Sequence, residues 1–482
     1  MDNLNSDIFA RRWDALLAWL QDHGMHVGNA LLVRPKKRPG SGNGLFTVGN
    51  VPHSTPLFTL PATAKINIKT LSSHYPVKTH HDLPLSATQL ISLHLFLHRP
   101  SPGSESSDPL FGPYISILPK EFDSHPLTWV VRQNLGRCFL SSSERTLLGF
   151  LPPSVVSSLK NLEMKFYHDQ RRVFQYIQEF QEIKQRSSIP LQNNDAAEAS
   201  VARQYLWAWL NVNTRCLYDR IVTSKHDPDN ISLCPVFDFA NHTWRSSTMQ
   251  PLPSDAEIWN SIAQGNGSDL TCVTCAVDVA GDQELFLTYG AHPNRTLFVE
   301  YGFVNEVEDA DLVSGNYAGE VNLDDIVEDL FSRRGAVGVW MKDVLEQRGY
   351  WGDWTMHSAP QPAHPSYRLT TALRLYDTIS EDTVEVPSDP DIALKPWYDT
   401  VLGRRETVSI ENEEAWRCTL LSICNTVEKR AEASMKSITD TPSPRDPTEW
   451  YEWMLENVRV LWWEEKSVAI AVAVSVRDGI EF

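Results

Sequence analysis

Apolar and polar positions change period several times along the chain, and the changes mark out its elements. Ile8, Phe9, Trp13, Leu16, Leu17 and Leu20 fall at helical spacing and predict an N-terminal amphipathic helix, with Ser6 as its N-cap and Gly24 as its stop. A basic, Gly/Pro-rich loop over residues 34–44 leads into short strands at 45–48 and 57–60. From residue 83 to about 202 the pattern is helical. It holds a helix around Leu90, Ile91, Leu93, Leu95 and Phe96, a Pro/Ser/Gly loop over 100–109, a long helix over 159–183 and a loop over 189–197. A further amphipathic helix over 199–217 carries Tyr205, Trp207 and Trp209, aromatics expected in the core. Strand-like runs follow at 233–239, 270–279 and 284–289, with a polar loop over 244–268, a turn at Gly281-Asp282 and a short helix over 294–301. After Asn305 the strands give way to helices at 323–331, 337–347, 369–377, 413–435 and 450–460, the last two separated by a Pro-rich stretch over 441–447. The apolar run 468–474 reads equally as a buried strand or a helix, and is far short of the ~20 residues of a membrane span. No internal repeat is visible.

Composition narrows the class. At 482 residues, 42% hydrophobic and 22% charged, the chain suits a soluble globular protein of two or three domains. A formal net charge of −18 argues against a general nucleic-acid binder and favours basic partners such as Lys-rich segments. The seven cysteines are scattered, and the polar first residues carry no secretory signal, so a reducing intracellular compartment, cytoplasmic or nuclear, is expected. Cys272 and Cys275 form the only close pair. No second pair at zinc-ligand spacing accompanies them, so they read as core thiols and no metal site is expected.

Two stretches carry the chemistry: Pro235-Val236-Phe237-Asp238-Phe239-Ala240-Asn241-His242, and Phe286-Leu287-Thr288-Tyr289-Gly290, which runs on to Tyr301-Gly302-Phe303. Tyr205 to Arg215 precede them, and Gly42-Asn43-Gly44-Leu45-Phe46 lies much earlier. In this order the four stretches resemble the SET-domain methyltransferases typified by the Rubisco large-subunit lysine methyltransferase. The resemblance is strong over 199–305, fair over 42–60 and 113–129, and weak beyond 306.

The resemblance implies an α+β fold. A β-rich SET domain with a knot-like crossing would occupy residues 1–305, with a helical insert over about 83–202, followed by an all-α substrate-binding domain over 306–482. It implies a protein-lysine N-methyltransferase using S-adenosyl-L-methionine, a basic protein segment as substrate, a monomer, and no direct nucleic-acid or membrane partner. Tyr289 takes the position of the catalytic tyrosine. It would orient the amine rather than act as a simple base, since a phenol holds its proton at neutral pH. Ser41, Gly42, Asn43, Arg215, Asn241, His242 and Phe303 take cofactor positions. Asp238, Tyr289 and Tyr301 take substrate positions, and Tyr301 and Phe303 would form an aromatic wall suited to an ammonium. Ser41 and Asn43 depart from the family, many members of which carry Glu at the first position and an apolar residue at the third. Two alternatives stay open on sequence: a protein-histidine methyltransferase, and a non-catalytic SET-like binding protein.

Overall fold

The computed structural model describes residues 2–28, 30–38, 42–77, 84–136, 139–186, 195–222, 224–252 and 267–482. The chain divides into two compact units, residues 1–139 with 161–291, and residues 140–160 with 292–482. Residues 140–160, within the stretch expected as the helical insert, group with the second unit.

The first unit opens on the helix Asp2–Asp22, so Ser6 lies inside this helix and is not its cap. The helix stops as expected: Gly24 turns to φ +93°, and the Gly24 and Met25 amides return to the carbonyls of Gln21 and Leu20. Its buried face carries Trp13, Leu16 and Leu20. Trp13 meets the ring of Phe239 edge-on at 5.7 Å, which seats the helix against the segment that bears Asp238.

Next come β1 (Val33–Arg38), β2 (Gly42–Thr47) and β3 (Pro56–Leu60). The helices of the insert follow, including Ala87–His98, Gly112–Ile117, Pro126–Leu135, Gln181–Arg186 and Asp195–Arg215. Ser86 and Gln89 form a capping box at the start of Ala87–His98. Asp169 fixes the insert from within, accepting from Gln89 Nε2 at 2.8 Å and Trp209 Nε1 at 3.0 Å. Tyr205, Trp207 and Trp209 are buried, as the periodicity predicts.

The described residues that follow in this unit carry the strands β4 (Leu217–Tyr218), β5 (Ile231–Ser232), β6 (Asn241–His242), β7 (Met249–Pro251), β8 (Leu270–Thr274) and β9 (Glu284–Leu287). A four-stranded sheet in the order β1-β2-β9-β6 sets the frame of the site, with β3-β8-β7 and β4-β5 as separate small sheets. β1 and β2 form a hairpin and β9 runs antiparallel to β2, with Phe46 opposite Glu284. β6 pairs parallel to β9, Asn241 with Phe286 and His242 with Leu287, so two stretches distant in sequence lie side by side.

In the second unit the helix Asn294–Tyr301 is followed by a sheet β10 (Glu320–Asn322), β11 (Thr355–His357) and β12 (His364–Pro365) set among helices. The unit is therefore mostly, not wholly, helical. The run 468–474 lies inside the helix Tyr451–Arg477. Val468, Ala469, Val472 and Ala473 are buried there while Val474 is 46% exposed, a helical stripe rather than a strand.

Glu464 of this helix is 2% exposed. Its carboxylate accepts from Asn294 Nδ2 at 2.6 Å, the Glu320 amide at 3.0 Å and the Tyr317 hydroxyl at 3.3 Å. Burial outweighs these donors and pushes the carboxyl up to about 7. A folded-state value above the unfolded one gives stability that is full below the ordinary carboxyl range and is lost as pH rises through about 7. The displacement is worth about 3 kcal/mol. Glu464→Gln should therefore gain thermal stability relative to the parent between about pH 5 and about pH 8. Melting curves of both proteins across that range check the sign. No helix among the described residues is long and apolar enough to cross a membrane.

Candidate active site

The approach to β6 is not the strand expected over 233–239. Val236 sits at φ +70°, ψ −49°, a conformation unfavourable for a β-branched residue, and residues Phe237–Phe239 close a 3-10 turn behind it. The turn sends Asp238 inward. Its side chain is 0% exposed, and Oδ2 accepts from Arg215 Nη1 at 2.9 Å and from the Tyr114 hydroxyl at 2.8 Å. Arg215 Nη1 also donates to the Asp238 carbonyl at 3.1 Å. Asp238 Oδ1 and Arg215 Nε are buried without a hydrogen-bond partner. Burial raises the Asp238 carboxyl, with Arg215 opposing. Burial and then the neighbouring Asp238 carboxylate hold the Tyr114 phenol well above its ordinary value. The family resemblance implies Asp238 on the substrate side and Arg215 at the cofactor. In the structure the two are partners in a buried ion pair, which Tyr114 joins from the helix Gly112–Ile117.

The β6–β9 pairing assembles a second cluster. Asn241 Nδ2 donates to Glu284 Oε1 at 2.7 Å. Glu284 is 8% exposed, and its Oε2 lies 2.9 Å from Arg38 Nε without the alignment of a hydrogen bond. Gly44 allows this arrangement, since a Cβ there would stand 2.2 Å from Glu284 Oε1 and 3.0 Å from Asn241 Nδ2. Neither Glu284 nor Tyr114 is among the residues singled out from sequence. A signal for Glu284 was present, a lone carboxylate opening an otherwise apolar strand.

The Tyr289 amide donates to His242 Nδ1 at 3.0 Å, so Nδ1 carries a lone pair and the neutral ring holds its proton on Nε2. The two rings lie 5.2 Å apart. The Tyr289 hydroxyl donates to the Ala240 carbonyl at 2.8 Å. With its proton committed, the phenol oxygen presents lone pairs, and the Ala240 carbonyl lies beside it. Two oxygen acceptors side by side attract a positively polarised group.

The remaining candidates divide. Ser41 lies outside the described residues, as do residues 253–266 of the polar loop. Gly42 is exposed at φ +77°, and Asn43 is half-buried in β2. Tyr301 and Phe303 belong to the second unit, on either side of Gly302, whose φ of +82° caps the helix Asn294–Tyr301. Their rings are 6.1 Å apart, and burial, then Glu300, raises the Tyr301 phenol. Cys272 is buried and Cys275 half-buried, both free thiols.

Replacing Asn241 by Ala would remove the partner of Glu284 Oε1 and leave a buried carboxylate short of a donor, at about 1–3 kcal/mol. The expected result is a loss of stability of that size, read by urea denaturation.

No family model matches the chain. It is 26% identical over 348 residues to the ribosomal lysine N-methyltransferase set11 of Schizosaccharomyces pombe, covering 71% of each chain. It is 24% identical over 465 residues to human SET domain-containing protein 4, covering 95% of this chain and 90% of that one. Among solved structures, the SET domain of LSMT bound to lysine and AdoHcy matches 97% of this chain and 91% of its own, with a TM-score of 0.57 at 16% identity. Rubisco LSMT bound to AdoMet matches with a TM-score of 0.55 at 15% identity. Relatives along nearly the whole length, this fold, and an Asn-His strand paired beside a Tyr-Gly strand end together make the chain similar to the SET-domain group typified by the Rubisco large-subunit methyltransferase.

Proposed function

We propose that the protein transfers a methyl group from S-adenosyl-L-methionine to a lysine ε-amine of a protein substrate. The observation that carries this is the arrangement of Ala240, His242 and Tyr289, two oxygen acceptors held rigidly at the end of the β6–β9 pairing. The names of the sequence relatives support the same class.

The site's donor set fits the cofactor. Arg215 Nε is a buried donor without a hydrogen-bond partner, of the charge that suits a ligand carboxylate, while Glu284 is already paired, with Asn241 at Oε1 and Arg38 at Oε2. β6 is the edge strand of its sheet, and Gly42 and Gly44 bring the backbone of β2 close without side chains. Asn241, His242, Gly42, Asn43 and Arg215 are the residues proposed to hold it. When bound, the cofactor supplies an electrophilic methyl.

The chain's own part is positioning. Tyr289, with its proton given to Ala240, accepts from the incoming amine and fixes its direction. Such orientation supplies part of the roughly 7–11 kcal/mol open to proximity effects. A free lysine is almost wholly protonated at neutral pH, and desolvation favours the neutral nucleophile. Tyr301 and Phe303 are the aromatic pair in the second unit suited to a methylated ammonium. The net charge of −18 favours a basic substrate, and lysine-rich ribosomal proteins are the class to test first.

Titration with S-adenosylhomocysteine followed by labelled-methyl transfer onto ribosomal proteins tests the proposal. Saturable one-to-one binding and label recovered as methyl-lysine are expected. Label recovered as methyl-histidine would replace the lysine assignment, and binding without transfer to any protein fraction would make the chain a SET-like binding protein.

A further inference from the structure

The helix Ala87–His98 carries His94 and His98 one turn apart on one face. The loop beyond it returns Asp108 between them. Asp108 Oδ2 lies 3.0 Å from His94 Nε2, Oδ1 lies 3.7 Å from His98 Nε2, and the three donor groups lie within 4.8 Å of one another. The Asp108 side chain is 1% exposed and Oδ1 has no hydrogen-bond partner, while Oδ2 also accepts from the Phe111 amide at 2.8 Å.

We propose that His94, His98 and Asp108 form a binding site for a divalent transition-metal ion of the Zn²⁺ or Co²⁺ class. Two imidazoles and one carboxylate are the donor set these ions prefer over Ca²⁺ or Mg²⁺. Metal–ligand bonds of about 2.0–2.1 Å set tetrahedral ligand atoms roughly 3.3 Å apart; the carboxylate oxygens stand 3.0 Å from His94 and 3.7 Å from His98, and the set, within 4.8 Å overall, would draw in by side-chain rotation to close on an ion. The support that ligating histidines need is also in place. His94 Nδ1 is 2.8 Å from the Tyr75 hydroxyl, so the ring proton moves from Nε2 to Nδ1, donates to Tyr75, and frees Nε2 for the ion without net proton release.

Arg186 opposes binding. Its Nη2 lies 3.0 Å from His98 Nε2 and uses the lone pair the ion needs. Arg186 is an exposed residue at the end of the helix Gln181–Arg186, free to turn toward solvent, so it competes with the ion rather than forbidding it. An ion here would tie the loop between His98 and Asp108 to the helix, in a structural role separate from the β6–β9 site. Sequence spacing hides the cluster, because the third ligand lies outside the His-x-x-x-His pattern.

The test is titration of the full-length, chelator-treated protein with Co²⁺, read by its visible d–d absorption, with Zn²⁺ as competitor. One equivalent per chain is expected in the parent, lost in His98→Ala and Asp108→Asn. Tyr75→Phe should weaken binding roughly 10-fold or more, and Arg186→Ala should tighten it. Should Asp108→Asn fail to fold, His98→Ala decides, with its binding of S-adenosylhomocysteine as the check that it is folded. No saturable uptake by the parent, or uptake unchanged in His98→Ala, overturns the proposal.

Discussion

Tyr289→Phe should lower methyl transfer roughly 100-fold while changing affinity for S-adenosylhomocysteine by no more than about 2-fold. In the proposed mechanism the phenol oxygen is the acceptor that directs the amine, and the substitution removes it and nothing else of the ring. The His242 contact survives, because the Tyr289 backbone amide makes it. The lost hydrogen bond to Ala240 is neutral and half-exposed, worth about 1 kcal/mol of stability. Single-turnover rates with the variant saturated in cofactor separate the two quantities. A variant that transfers methyl as fast as the parent would move the catalytic assignment away from Tyr289.

Arg215→Ala should destabilise the protein by about 3 kcal/mol or more at neutral pH, since breaking a buried pair strands the remaining charge. Asp238, with its side chain 0% exposed, would keep only the Tyr114 hydroxyl. The deficit should depend on pH in a stated direction. Burial already raises the Asp238 carboxyl, and removing Arg215 raises it further. The folded-state value then lies above the unfolded one. The variant's stability is preserved below the ordinary carboxyl range, where Asp238 is neutral in both states, and is lost as pH rises through the folded value. Urea denaturation at about pH 4 and about pH 8 should show a small and a large deficit respectively. Adding Asp238→Asn should recover part of the loss at the higher pH. An equal deficit at both pH values would mean that Arg215 acts through packing of its stem.

These effects trace to contacts that the sequence reveals unevenly. Asn241-His242 and Tyr289-Gly290 are legible because each is a short contiguous motif, and the strand pairing then brings them together. The partnership of Arg215 with Asp238 and Tyr114 is not legible, since Tyr114 comes from a distant helix and nothing local announces its partner. The burial of Glu284 is not legible either, since it depends on the space that Gly44 leaves on the neighbouring strand. Propensity misreads residues 233–239 for a related reason. Val236 favours extended backbone, and tertiary context holds it at φ +70° instead. The run 468–474 was ambiguous by composition, and helical packing of every third and fourth residue decides it.

β6 is only two residues long, yet it joins β9 across a long stretch of intervening chain. Closing so large a loop costs entropy that two residues of ladder repay only weakly. The β6 end of the sheet should therefore form late in folding and open first in the native state, ahead of the β1–β2 pair. A ligand that bridges β6 and β2 would act as a clasp on this closure. Amide hydrogen exchange at His242 and Thr243 should slow when such a ligand binds, while exchange within the β1–β2 hairpin interior changes little.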